Sequence, residues 1–288
     1  MATAVRRKRV LVTGGSSGIG RALCGVLAKD HNCHVYLTAR SLERGQTAAA
    51  ELGDAHIEVL QMDTTDATSV ESCAAVLRDK GVTLYALVNN AGVGLNNISD
   101  LGLSSEAQTQ LVLNTNFKGP QRVTEAFVDM LEDEGRIVNV SSGSASGWLC
   151  QQDENVKALF SDPNITIDQL DDAVDAALKE GRVGSLCGYG LSKAALTALT
   201  LYHAKLYPHL KVVSLSPGFI DTNMTRGFGA RLTPVEGCRS SIKCLFDDVT
   251  PGWYYGSDGL RSPMTCPRDP GMPEYEGEAN PQRSKYNR

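Results

Sequence analysis

Arg9-Val-Leu-Val-Thr13 runs directly into Gly14-Gly15-Ser16-Ser17-Gly18-Ile19-Gly20, and helical spacing follows from Gly18 to Lys29. A β-branched run that turns through glycines into a helix opens a βαβ unit. At such a turn the backbone N–H groups and the positive end of the helix dipole face a ligand together, an arrangement suited to a pyrophosphate. Gly14, Gly18 and Gly20 permit the sharp turn and a close approach of backbone to phosphate, and Ser16, Ser17 and Ile19 complete the loop. The spacing is Gly-x-x-x-Gly-x-Gly and not the Gly-x-Gly-x-x-Gly of the common dinucleotide fingerprint, so the reading needs support from farther along the chain.

The theme repeats. His34-Val-Tyr-Leu-Thr38, Ile57-Glu-Val-Leu-Gln61 and Leu84-Tyr-Ala-Leu-Val88 read as further strands, separated by helical stretches over 42–52 and 66–80. Ser41 and either Thr65 or Asp66 stand as N-caps, Gly53 and Gly81 as C-terminal caps. Beyond residue 90 come a helical stretch ending near Leu131, a strand over 135–140, a helix from about Tyr189 to Tyr207 and a strand over 210–215. An insert of about residues 150–185 contains a surface helix, 165–179, with Leu170, Val174 and Leu178 on one face. This alternation predicts an α/β fold: a single Rossmann-like, doubly wound parallel sheet of about seven strands with helices on both faces, and a helical insert before Tyr189. One domain is expected over residues 1–262, and an irregular arm or disordered tail over 263–288, where Pro, Gly and charge accumulate. All strand carboxyl ends then lie at one edge, where ligands bind.

With 288 residues the chain can bury one large core. Its net charge of -5 leaves no concentrated basic surface for nucleic acid or an acidic membrane, and the one basic run, Arg6-Arg7-Lys8-Arg9, reads as solvated charge flanking the first strand. No apolar stretch approaches the roughly 18 residues a membrane span needs, and no signal core follows the basic residues, so a cytoplasmic location is expected. The 8 cysteines and 5 histidines are scattered without metal-ligand spacing, which argues against a metal site and for reduced, mostly buried thiols.

At the end of a dinucleotide site's second strand an acid selects NAD, whereas an arginine accommodates the NADP 2′-phosphate. Here the residues are Thr38-Ala39-Arg40, with Arg44 one helical turn on, so NADPH is the expected cofactor. Asp63, with Thr64 beside it, is placed to accept from the adenine amino group, and Asn89-Asn90-Ala91-Gly92 makes a tight turn in which Asn90 approaches the cofactor. Tyr189 and Lys193, four residues apart, project from one helix face. A free tyrosine, with a pKa of about 10, is a poor acid–base group at neutral pH; a neighbouring ammonium favours the phenolate and is expected to lower that value.

Thr13 to Gly20, Asn89 to Gly92, Asn116, Ser141-Ser142, Tyr189 with Lys193, and Pro217-Gly218, taken in order, resemble the motif set of the short-chain dehydrogenase/reductase family over about residues 8–225. Within that family Thr38-Ala-Arg-Ser-Leu-Glu-Arg-Gly-Gln46 and the insert before Tyr189 are most similar to the monomeric NADPH carbonyl reductases. The resemblance implies hydride transfer from NADPH to a small-molecule carbonyl substrate, an aldehyde, ketone or quinone. It makes Tyr189 the proton donor, Ser142 the polariser of the carbonyl, Lys193 the holder of the nicotinamide ribose, and Asn116 the anchor of a relay water. It also has Pro217, Gly218, Ile220 and Thr222 clasp the nicotinamide end, and the insert cover the helix face that other members use to oligomerise, leaving a monomer. A reductase dedicated to one terpenoid, steroid or alkaloid ketone, and a non-catalytic NADP(H) sensor, are the alternatives; a sensor has no use for Ser142. Trp148, Phe219, Phe228 and Leu95 are candidates for an apolar substrate wall and equally for ordinary packing.

Overall fold

The computed structural model describes residues 7–279 and 281, so Arg6 and the side chain of Leu95 lie outside the described residues. The chain runs β1 (Arg9–Val12), α1 (Gly18–Lys29), β2 (His34–Ala39), α2 (Leu42–Leu52), β3 (Ile57–Gln61), α3 (Ala67–Asp79), β4 (Leu84–Asn89), α4 (Leu95–Ile98), α5 (Ser105–Leu113) and α6 (Gly119–Phe127). It continues β5 (Leu131–Val140), α7 (Gly143–Cys150), α8 (Glu154–Phe160), α9 (Ile167–Lys179), α10 (Tyr189–Leu206), β6 (Lys211–Leu215), α11 (Arg239–Phe246) and β7 (Tyr254–Tyr255). The seven strands pair in parallel in the order β3-β2-β1-β4-β5-β6-β7. The order reverses between β1 and β4, which opens a crevice at their carboxyl ends.

Strand geometry explains the layering. Successive side chains alternate, so Val10 and Val12 pack with Leu23 and Leu27 of α1 and Leu245 of α11, while Leu11 faces Val70 and Leu77 of α3 and Phe127 of α6. With both faces covered, the strands carry continuous apolar runs instead of a polar alternation. Ser41 caps α2 by accepting Arg44 N–H, Asp66 caps α3 by accepting Thr68 N–H, and Gly53 and Gly81 adopt positive φ just past the two helices.

Two boundaries depart from the sequence reading. α6 ends at Phe127, a 3₁₀ turn covers Val128–Met130, and β5 begins at Leu131, four residues before the expected start at Gly135. The cause is a register shift between Leu84 and Ala86 on the partner strand, with Glu134 at φ 61 where its N–H reaches His209 O at 3.1 Å. The described part of the tail is irregular but tied down: Arg268, its side chain buried, pairs with the partly buried Asp258 at 2.8 Å, and Arg261 lies between the Trp253 and Tyr275 rings at 4.0 and 4.8 Å.

The insert is a pair of helices laid over α7 and α10. Thr166 and Gln169 form a capping box at the start of α9, and Leu170, Val174 and Ala177 turn inward against Phe160 of α8 and the apolar face of α10. Leu178, partly buried, packs against the same cluster, as its place on that face predicts. Lys118, in the turn just before α6, reaches across to Asp171 with both N–O distances at 2.6 Å. No helix among the described residues is long and apolar enough to cross a membrane.

Candidate active site

A cleft of about 710 Å³ runs along the crevice from Arg40 and Arg44, past the glycine loop, to Tyr189 and Lys193. Gly14, Ser16, Ser17, Gly18, Ile19 and Gly20 line it, as do Asp63, Thr64, Asn90, Pro217 and Thr222. The glycine loop is shaped by contacts that exclude a side chain. A Cβ on Gly14, whose φ is +66, would lie 2.9 Å from Ala91 Cα, and one on Gly20 would lie 2.4 Å from Gly14 O. Thr13 Oγ1 accepts the N–H groups of Asn90 and Ala91 at 3.0 and 2.9 Å, and Asn90 Nδ2 donates to Thr13 O at 2.8 Å. The Asn90 side chain therefore braces the loop from below. Ser17, the N-cap of α1, makes no side-chain cap, which leaves first-turn N–H groups directed at the cleft.

At the far end Arg40 and Arg44 are exposed, and among the described residues neither guanidinium has an intrachain hydrogen bond or ion pair. Gln61 Nε2 donates to Arg40 O at 3.1 Å and fixes the backbone there. Asp63 is anchored through one oxygen, Oδ1, which accepts Thr65 N–H at 2.9 Å and the Thr65 hydroxyl at 2.7 Å.

At the other end β5, α7 and α10 converge. Ser142 follows β5 and N-caps α7, accepting Ser144 N–H at 3.1 Å, and its side chain hydrogen-bonds the Tyr189 hydroxyl. Tyr189 is the first residue of α10 and follows three consecutive left-handed residues, Leu186, Cys187 and Gly188. Gly190 lets α7 approach, since a Cβ there would lie 2.9 Å from Trp148 Cβ. One turn on, Lys193 is buried; its Nζ donates to Val140 O at 2.8 Å and lies 5.8 Å from the Tyr189 ring centroid. Ser141 Oγ donates to Lys193 O at 3.0 Å, which seats α10 on the end of β5.

Burial reverses one expectation. The Tyr189 pKa is raised above the ordinary tyrosine value because its phenolate would be withdrawn from water, and the Ser142 hydrogen bond offsets only part of this. Lys193 does not overcome this: burial pulls the lysine's own pKa down to about 8, and its Nζ is turned to Val140 O. Desolvation outweighs the cation.

Three other sequence-derived positions, Asn116, Gly218 and Ile220, lie off the lining of the cleft. Asn116 lies in a π-helical turn, Asn114–Lys118, where its Oδ1 accepts Val93 N–H at 2.8 Å and its Nδ2 donates to Val93 O and Ser192 Oγ at 2.9 and 3.1 Å. Its amide ties the loop after β4 to α10 and does not line the cleft. Ile220 is buried, pairs with Leu232 and packs on Gly237, and Gly218, at φ +95, closes on Ser257, so neither lines the cleft that Pro217 and Thr222 border. Trp148 is core, packed on Phe160 with Nε1 donating to Arg182 O at 2.9 Å, whereas Phe219 and Phe228 are about half exposed at 51% and 47%. Gly92, Val93, Asn97 and Met224 line the cleft without having been singled out as contacts; Met224 enters because Gly94 leaves it room, and no motif marks it.

The family model described as short chain dehydrogenase matches residues 8–151. The (+)-neomenthol dehydrogenase of Arabidopsis thaliana is 32% identical over 276 residues, covering 81% of this chain and 89% of that protein. Carbonyl reductase (NADPH) 1 of Homo sapiens is 29% identical over 247 residues, covering 81% of this chain and 88% of that protein. Among solved structures, salutaridine reductase from Papaver somniferum superposes with a TM-score of 0.74 at 28% identity, covering 86% of this chain and 99% of that one.

Proposed function

The chain belongs to the short chain dehydrogenase family, and from that premise we propose that it reduces an aldehyde, ketone or quinone to the alcohol with NADPH, Tyr189 donating the proton. The observation that carries this reading is the hydrogen bond between the Ser142 side chain and the hydroxyl of Tyr189, which lines the cleft together with Lys193 and the uncapped start of α1. The residues present fit NADPH: a glycine cradle, free first-turn N–H groups for the pyrophosphate, and two guanidiniums for a 2′-phosphate that have no partner among the described residues. When bound, that cofactor supplies a hydride to the carbonyl carbon. Ser142 donates to the carbonyl oxygen, and Tyr189 hands its proton to the same oxygen as negative charge develops there. Donors aimed at that oxygen stabilise the transition state more than the ground state. A raised tyrosine pKa suits this direction, because the protonated phenol is the donating form and an alkoxide is a far stronger base than a phenolate.

Lys193 is then the site group whose charge changes closest to neutrality, and its cation offsets the negative charge left on Tyr189. The kcat/KM for reduction should hold to about pH 7 and fall as pH rises through about 8, where the ammonium is lost. Lys193→Arg, charged throughout this range, should move that alkaline limb upward by about one pH unit or more. A limb that stays in place in the variant assigns it to another group.

The experiment that tests the function is a panel of aldehydes, ketones and quinones offered to the purified protein with NADPH or NADH. Turnover with an NADPH preference of about tenfold or more is the expected result. Tight NADPH binding with no turnover across the panel would favour the sensor reading. A reductase dedicated to one bulky terpenoid, steroid or alkaloid ketone is the second reading, favoured by the apolar Phe219, Phe228, Leu232 and Val235 left exposed after β6 and by relatives named for single compounds. A cytoplasmic monomer belongs to the same proposal, the monomer supported by the insert's cover over α7 and α10.

A further inference from the structure

Behind Ser142 and Tyr189 stands a second tyrosine. Tyr254, on β7, is 4% exposed and shares a small cavity with Ala145, Ser146 and Leu149 of α7 and Ala194 and Thr197 of α10. Its hydroxyl hydrogen-bonds the side chains of Ser216 and Ser146. Ser216 Oγ accepts Gly143 N–H at 3.1 Å and Gly218 N–H at 3.4 Å, and Ser146 Oγ donates to Gly143 O at 3.1 Å.

These bonds have only one consistent proton order. Ser216 Oγ, with both lone pairs taken by N–H groups, has its own O–H left to donate to the tyrosine oxygen. Ser146, whose O–H goes to Gly143 O, must accept from the Tyr254 O–H. The chain therefore runs Ser216 to Tyr254 to Ser146 to Gly143 and closes through Gly143 N–H back on Ser216. The residue held at both its N–H and its carbonyl is the one after Ser142, and the Gly218 bond extends the hold to the loop after β6.

We propose that Tyr254 is a positioning residue for the reduction assigned above: through Ser216 and Ser146 it fixes Gly143, and with it the direction from which Ser142 meets the Tyr189 hydroxyl. The proposal rests on that reading of the site, and phenylalanine at 254 is the informative change. It keeps the ring between α7 and α10 but leaves a buried serine donor and a buried serine acceptor without their partner, freeing Gly143 to shift. Misaimed by a fraction of an ångström, Ser142 polarises the carbonyl less well and supports the Tyr189 phenolate less well.

In the full-length enzyme Tyr254→Phe is expected to lower kcat about tenfold with KM for NADPH within about twofold. The Tyr189 phenol, followed by ultraviolet titration and corrected with the matching Tyr189→Phe proteins, should titrate about half a pH unit higher, because a hydrogen bond that favours the phenolate has weakened. Ser216→Ala should reproduce both effects, and the double variant should be no worse than either single one. A lower Tm with unchanged kcat and an unchanged Tyr189 titration would overturn the proposal. If the wild-type protein reduces no carbonyl at all, the functional reading fails, and the phenol titration alone decides for or against Tyr254.

Discussion

Tyr189→Phe lowers kcat for carbonyl reduction by about 10³-fold while the Kd for NADPH stays within about threefold of wild type. The substitution removes one oxygen and leaves the ring at the start of α10. A positioned general acid contributes about 10²–10⁴-fold, and the loss falls in the upper part of that range because Ser142 loses its partner in the same change. Cofactor affinity is retained because the groups proposed to hold the pyrophosphate and the 2′-phosphate, the start of α1 with Arg40 and Arg44, lie at the other end of the cleft. Steady-state turnover and a fluorescence titration with NADPH separate the two quantities. A variant that keeps most of its kcat removes Tyr189 from the chemistry, and one that loses NADPH affinity in parallel assigns it a structural role.

Arg40→Asp lowers the NADPH-over-NADH preference by about 100-fold. A hydrogen bond to a charged group contributes roughly 1.5–3 kcal/mol, and replacing it with a carboxylate facing the 2′-phosphate adds repulsion, partly screened at this exposed position. Arg44 remains and keeps the change from being larger. Stability is little affected, since the Arg40 guanidinium has no intrachain partner among the described residues. The ratio of kcat/KM with the two cofactors is the measurement, at one fixed salt concentration. An unchanged ratio would place the phosphate elsewhere.

The parts of this molecule that were readable from sequence are those governed by local rules. The glycine run between a β-branched segment and a helix placed the first βαβ unit, and Ser41, Asp66, Gly53 and Gly81 marked helix ends because capping depends on near neighbours. The parts that were not readable depend on what else arrives in space. The four-residue spacing put Tyr189 and Lys193 on one face, but it says nothing about how far each is withdrawn from water, and that decides the sign of the tyrosine shift. Ile220 sits in a motif yet turns inward, because Gly237 offers it a slot that only tertiary packing creates. The early start of β5 follows from a bulge against its partner strand, which no single-strand pattern encodes. Tyr254 carried no signal in its own neighbourhood; its partners Ser146 and Ser216 come from segments far away in the chain.

The mutual bracing of Thr13, Asn90, Gly14 and Gly20 bears on association kinetics. A cradle already locked by its own backbone has lost its conformational freedom during folding, so an incoming dinucleotide need not immobilise it. Encounter and capture then merge into a single concentration-dependent phase, with no slow isomerisation of the loop behind it. Selectivity at this end of the cleft must come from the shape and charge that are waiting, because the loop does not remodel itself around whichever nucleotide appears.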